Sequence, residues 1–374
     1  MADLIRVCSP TIDAQTKEEL CKTLDTGWFG NGPKTAEFEE ALAIRLGYKY
    51  AVALNSGTSA LDLAIRVYKK DSNWQGMELI TTPMTFVSDA IVAKWHGMDV
   101  TFCDIDEDTL CMDPKVIVLN DNTRVVIPVD SHGRLADIKE IRNKVTKLED
   151  IGPQCPLIIE DAAHAMHTPG VGQSADILML SFQAVKTLPA GDGGALLTND
   201  EDIYIELNKL KWLNVEKTTW QRAKGNKYTW NYDITRGDGV KAYMNDINAT
   251  IALGQLRRLD EMMAKRRAIQ SVYNEAFKDI EQIKTPVFSY TVQYYTMQCD
   301  NRDKLSEDLA EQGVSTSVHF KPLSEMTYWK KAVKRPLPVT DRVWRKLLSL
   351  PCHDALTWSE VEYIIKCVKK FYEH

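Results

Sequence analysis

In the stretch SFQAVKTLPAGDGG (181–194), Lys186 is the one charged side chain among the first eleven residues. Apolar surroundings disfavour an ammonium, so an amine there is pushed toward its neutral form, a nucleophile that condenses with carbonyls to Schiff bases. A lysine that lays its stem on apolar surface and sends its head to solvent would look the same in sequence. Five residues earlier, Ser181 closes the apolar run DILMLSF. Another apolar run, PLIIED, ends on Glu160 and Asp161. Carboxylates leaving a buried run are costly unless a cation is near. A metal or a protonated pyridine nitrogen would serve; no clustered ligands support a metal, and Asp161 alone could cap a following helix. Asn55-Ser56-Gly57-Thr58-Ser59 stands between a strand-like and a helix-like run. Gly57 permits close backbone approach, and Thr58 with free helix N–H groups makes an anion cradle. The hydroxyls are equally ordinary N-caps.

Together these groups describe the needs of one cofactor. Pyridoxal phosphate requires a lysine for its aldehyde, an acid at its ring nitrogen and a cradle for its phosphate. Phe86, in TTPMTFVSDA, stands where an aromatic face could cover the ring or could simply pack in the core.

The elements that must position these residues alternate. KYAVAL (49–54), ELITT (78–82), DVTFCDI (99–105), RVVIPVD (124–130), PLIIEDA (156–162) and DILMLSF (176–182) read as buried strands. Helical patterns such as TSALDLAIRVYKK and ADIKEIRNKVTKLE separate them. Such alternation predicts an α/β fold, a mostly parallel central sheet flanked by helices, with ligands at the C-terminal strand ends. Beyond a polar, Trp- and Lys-rich stretch at 211–245, one long helical run (246–277), strand-like 290–299, helical 302–313, strand-like 314–320 and a final helix predict a smaller C-terminal α+β domain. We divide the chain into residues 1–250, which hold the cofactor groups, and 251–374.

Composition excludes other classes. The 374 residues include 44% hydrophobic and 26% charged side chains, with a net charge of −6, so there is no footprint for nucleic acid. No apolar run is long enough to predict a membrane span. The first residues lack a basic-then-apolar signal pattern, and the eight scattered cysteines have no CxxC pair. The expectation is a cytoplasmic chain with reduced thiols.

In order and spacing, the motifs resemble the pyridoxal-phosphate-dependent sugar aminotransferases of the DegT/StrS type, within the aspartate aminotransferase fold (fold type I). GWFGNGPKTAEFEEALA, NSGTSALDLA, IIEDAAHAMH, SFQAVKTLPAGDGGALLTND, MNDINATIALGQLRRLD and VSTSVHFKPLSEM carry the resemblance, which runs over nearly the whole chain. By it, Lys186 holds the cofactor, Asp161 pairs with the ring nitrogen, and Gly57, Thr58 and Ser181 hold the phosphate. Phe86 stacks on the ring, His164 lies near the ring hydroxyl and His319 lies near the substrate. Lys241 reaches the phosphate of the partner protomer, because the resemblance implies a homodimer with shared active sites. Asp130, Asp192, Ser324 and GVKAYMND depart from the family's pattern and bear on sugar specificity.

The implied reaction moves an amino group, with L-glutamate as donor, to the C4 or C3 keto group of a nucleotide-linked deoxysugar. A sugar dehydratase of the same cofactor class is an alternative, but that branch replaces the lysine with histidine. A non-catalytic regulatory homologue is another, and the intact set of Asp161, Ser181 and Lys186 argues against it. The tryptophans and lysines of 211–235, Lys224 and Lys227 among them, could bind a nucleotide diphosphate or form a solvated loop.

Overall fold

The computed structural model describes residues 4–373 except 71, 150–154, 216, 218, 224–232 and 235, so Lys224 and Lys227 lie outside the described residues. Seven strands form the main sheet: β1 (Tyr50–Leu54), β2 (Glu78–Thr81), β3 (Asp99–Phe102), β4 (Thr123–Ile127), β5 (Leu157–Asp161), β6 (Ile177–Ser181) and β7 (Gly194–Thr198). Their spatial order is β1-β7-β6-β5-β4-β2-β3. Pairing is parallel except at β7, which runs antiparallel to both β6 and β1. The α/β expectation therefore holds, with a mostly parallel sheet. The six expected strands are all present, several ending early where the chain leaves the sheet. Beyond the end of β4, a bridge from Val129 to Asp161 at the end of β5 continues the ladder.

Helices α1 (Ala14–Asp25), α2 (Pro33–Leu46), α3 (Gly57–Lys69), α4 (Ser88–Trp95), α5 (Ile138–Glu149), α6 (Glu201–Leu210), α7 (Thr219–Ala223) and α8 (Asp246–Phe277) accompany this sheet. One apolar layer joins α3, α4 and α6 to one side of it, through Leu61, Ile65, Val92 and Leu207. A second joins α2 and the first half of α8 to the other side, through Phe38, Leu42, Ala252 and Leu259. Strands covered on both faces explain the near-continuous apolar runs in the sequence. The N-terminus of α8 is tied down by its first residue: behind the cap Asn245, the buried Asp246 accepts from the amides of Gly32 and Thr35 and from the Thr35 hydroxyl. That ties α8 to the start of α2.

A second sheet contains β8 (Ile283–Lys284), β9 (Tyr295–Cys299) and β10 (Leu347–Leu350), with α9 (Arg302–Glu311), α10 (Pro338–Val343) and α11 (Trp358–Tyr372) nearby. Its core contains Ile269, Tyr273 and Phe277 from the second half of α8, so this one helix contributes to both bodies. The strand-like run 314–320 forms no strand; Val314 and Ser317 make only isolated bridges, to Ile5 and Ser349. No helix among the described residues is long and apolar enough to cross a membrane.

Candidate active site

At the C-terminal ends of β5 and β6 a cavity of about 440 Å³ opens, and Lys186 lines it. Cavities of this size suit small-molecule ligands. The loop that carries the lysine is fixed at several points. Phe182 N–H donates to the Gly193 carbonyl and Ala190 N–H to the Phe182 carbonyl, both at 2.8 Å, closing the loop on itself. From α8, Asn248 Nδ2 donates to the carbonyls of Ala190 (2.8 Å) and Asp192 (3.0 Å). Gln293 Nε2 donates to the Val185 carbonyl at 2.6 Å. Gly191 sits at φ +86°, a conformation that favours glycine.

Lys186 keeps part of its surface on the cavity yet is otherwise ringed by protein. Burial therefore lowers its pKa, against the opposing pull of Asp161 and Asp89. Its Nζ lies 2.9 Å from His164 Nε2. A lysine amine donating there requires the proton of a neutral His164 on Nδ1, and that atom is buried without a partner among the described residues. Two imidazoles, His164 and His319, line the cavity, and a third, His132, packs against His164. His164 stacks on His132 and on Phe320, each with 5.8 Å between ring centroids. His319 stacks on Tyr294 at 3.7 Å and 7°, while its Nδ1 contacts Ser349 Oγ at 2.9 Å. Burial holds all three histidines below their ordinary range, and His319 falls to about 3. Neutral imidazoles beside the lysine add no positive charge to its surroundings.

The carboxylates of β5 divide by strand alternation. Asp161 lines the cavity, and its Oδ1 accepts from Ala163 N–H at 2.8 Å. Glu160 points elsewhere and accepts twice from Gly172 N–H, at 2.9 and 3.0 Å. It anchors a loop and does not line the cavity. Across the cavity, α3 begins at Gly57, and its cap Ser56 accepts from Ser59 N–H at 3.1 Å. The first-turn amides of Gly57 and Thr58 have no partner inside the helix, so they and the helix dipole face whatever anion enters. Ser181, ending β6, packs against this turn; a Cβ on Gly57 would stand 3.1 Å from the Ser181 Cβ. Phe86 is 59% exposed on the cavity wall, which rules out core packing for its ring.

The sequence profile of the DegT/DnrJ/EryC1/StrS aminotransferase family matches residues 10–369. The chain belongs to that family. It is 32% identical to the spore coat polysaccharide biosynthesis protein SpsC of Bacillus subtilis, over 96% of this chain and 95% of that protein. Among solved structures, Spr1654 of Streptococcus pneumoniae, a candidate sugar aminotransferase known in a PLP-form, superposes with a TM-score of 0.89 at 28% identity, covering 99% of both chains. Helicobacter pylori PseC, an aminotransferase of pseudoaminic acid biosynthesis, shares the fold at a TM-score of 0.89 and 23% identity, over 99% of this chain and 100% of that one. The expected class, an aminotransferase of fold type I, is thus the class of this family.

The cavity fits pyridoxal phosphate. It offers a lysine of lowered pKa, a buried acid, an exposed aromatic face and an anion cradle that a side chain at position 57 would crowd. Of the nine residues singled out in the sequence, Gly57, Thr58, Phe86, Asp161, His164, Ser181, Lys186 and His319 all line it. Lys241 does not. It is exposed on the segment that bridges Trp212, with Nζ 6.0 Å from the Tyr243 ring centroid. Tyr294, Gln293, Asn248 and Asp89 escaped the sequence reading. Of these, Asp89 carried a signal: it is the one charge in the apolar run FVSDAIVA.

Proposed function

We propose that the protein is a cytoplasmic, homodimeric, pyridoxal-phosphate-dependent aminotransferase that moves an amino group from L-glutamate to the C4 or C3 keto group of a nucleotide-linked deoxysugar. The observation that carries this reading is Lys186 Nζ on a cavity wall with neutral His164, facing the open first turn of α3. When bound, pyridoxal phosphate supplies an aldehyde for the amine and an electron sink for the carbon that loses its proton.

The chain's own groups do the rest. Gly57 and Thr58 amides and the Ser181 hydroxyl would bind the phosphate. Asp161 would hold the positive charge of the ring nitrogen, and Phe86 would cover one ring face. His164 Nε2, which Lys186 occupies here, would become available to a ring oxygen once the lysine engages the cofactor. Lys186 Nζ, released by the incoming amine, would take the substrate's proton and return it one atom away; its lowered pKa leaves more of the free amine that accepts a proton than an ordinary lysine has. His319, neutral and stacked on Tyr294, would meet the substrate as a hydrogen-bonding group and leave no second cation at the site. Lys241, which does not line its own cavity, would reach the phosphate of a partner protomer. The free buried thiols Cys103, Cys111, Cys299, Cys352 and Cys367 suit a reducing compartment.

The test follows the cofactor absorbance after adding L-glutamate without sugar, then after a panel of nucleotide ketosugars. The reading expects glutamate to convert the bound aldehyde form to the amine form and one class of ketosugar to convert it back. A spectrum unmoved by glutamate and by other amino acids would overturn it.

A further inference from the structure

Asp89 stands in the first turn of α4 with none of its surface exposed. Its Oδ2 accepts from Thr85 Oγ1, and its Oδ1 has no donor from a neutral or cationic group among the described residues. The carboxyl that lies within hydrogen-bonding reach of it is that of Asp161. Two carboxylates in contact and out of water do not both keep their charge, so the pair holds one proton. The surroundings decide which member carries it. Asp161 receives the Ala163 amide and borders Lys186, both of which favour its anion. Asp89 receives one hydroxyl, and burial together with the Asp161 charge pushes its carboxyl well above the usual carboxylate range.

We infer that Asp89 is a positioning residue that carries this proton and donates it to Asp161, so that the acid facing the cavity is a carboxyl–carboxylate pair of single charge. The inference rests on the reading that Asp161 meets the ring nitrogen of pyridoxal phosphate. A donor behind Asp161 stabilises its anion and lowers its affinity for a second proton. The proton between Asp161 and the ring nitrogen then stays on the ring, where it keeps the ring positive. Without Asp89, Asp161 is the stronger base and competes for that proton. Asn at this position would keep an N–H donor; Ala would not.

Two measurements test this, the first without cofactor. The infrared spectrum of the apoprotein should contain a protonated-carboxyl C=O stretch that Asp89→Asn removes. A second buried pair, Asp130 with Glu160, holds a proton on the same grounds, and Asp130→Asn identifies its contribution. An unchanged carboxyl band in Asp89→Asn overturns the inference. The second measurement loads the protein with ring-15N pyridoxal phosphate. The nitrogen signal should be that of a protonated ring in wild type and Asp89→Asn and should move toward the unprotonated value in Asp89→Ala. The cofactor dissociation constant of Asp89→Ala should rise about tenfold, the scale of one hydrogen bond to a charged group. Identical nitrogen signals in all three proteins overturn the inference. If wild type binds no pyridoxal phosphate, the functional reading fails, and the infrared difference alone then decides where the proton lies. Should Asp89→Ala not fold, Asp89→Asn still decides by the infrared band.

Discussion

Replacing Gly194 with Ala tests how the anion cradle is built. Gly194 opens β7 and pairs with Leu54 on one side and Ser181 on the other. A Cβ there would stand 2.5 Å from the backbone carbon and oxygen of Ser56 and 2.6 Å from Gly57 N. These are main-chain atoms, so no rotamer relieves the clash. Ordinary contact begins at 3.4 Å, and the Ser56–Gly57 turn must retreat from 2.5 Å by about 0.9 Å. Overpacking of this kind costs about 1–3 kcal/mol. The displaced turn carries the Gly57 amide, a proposed phosphate donor, so the cost falls on the cofactor: about 5- to 150-fold in the dissociation constant of pyridoxal phosphate. Titrating apoprotein with pyridoxal phosphate by absorbance, alongside thermal midpoints, reads both effects. Gly237→Ala is the control, because its Cβ meets nothing within 4 Å among the described residues. A Gly194→Ala protein with wild-type affinity and midpoint would refute the claim that this close approach shapes the cradle.

Asp161→Asn should lower turnover by at least about two orders of magnitude, the scale of one preorganised charged group, whereas Glu160→Gln should leave turnover nearly unchanged; steady-state kinetics decide, and the reverse ranking would reject the division of β5. His132, His164 and His319 are held neutral by burial, His319 down to about 3, against about 6.5 when unfolded. Between those values the unfolded chain's histidines bind more protons, so the histidines' contribution to apoprotein stability is full above pH 6.5 and falls as pH drops below it, while the carboxyl protons held by Asp89 and Asp130 act in the opposite sense. Urea midpoints from pH 5 to 7.5 for wild type and His319→Gln isolate the histidine contribution: the wild-type midpoint should lose ground to the variant's as pH falls, and parallel profiles would contradict the burial argument. Lys241→Ala should impair turnover, and refolding it together with Lys186→Ala should restore roughly a quarter of wild-type sites if Lys241 acts across a two-fold dimer. Recovery no greater than the average of the two mutants would place Lys241 in its own site or none.

Much of this was legible because buried parallel strands advertise themselves as apolar runs, and chemistry at their ends interrupts those runs with polar groups. Lys186, Ser181 and Asp161 stood out for that reason. Sequence could not separate core packing from ring stacking for Phe86, since an aromatic after a strand reads alike in both; its exposure decides. Nor could it divide Glu160 from Asp161, whose difference is the face of β5 each occupies. β7 was hidden because its short apolar run follows a glycine turn and pairs antiparallel within an otherwise parallel sheet. Tyr294 and His319 come from segments 25 residues apart, brought together by the second body. The run 314–320 has the alternation of a strand but finds only single bridges to Ile5 and Ser349, so periodicity without a neighbour made no ladder. Asp89 was visible as a lone charge in an apolar helix, but its meaning depends on Asp161, which lies 72 residues further on.

The central claim is that Lys186 holds the cofactor. Incubating the protein with pyridoxal phosphate, reducing with borohydride, digesting and sequencing by mass spectrometry tests it directly. The account predicts a phosphopyridoxyl group on the peptide containing Lys186, and none on that peptide in Lys186→Ala. Label on another lysine in the wild-type protein, or no label at all, would contradict it.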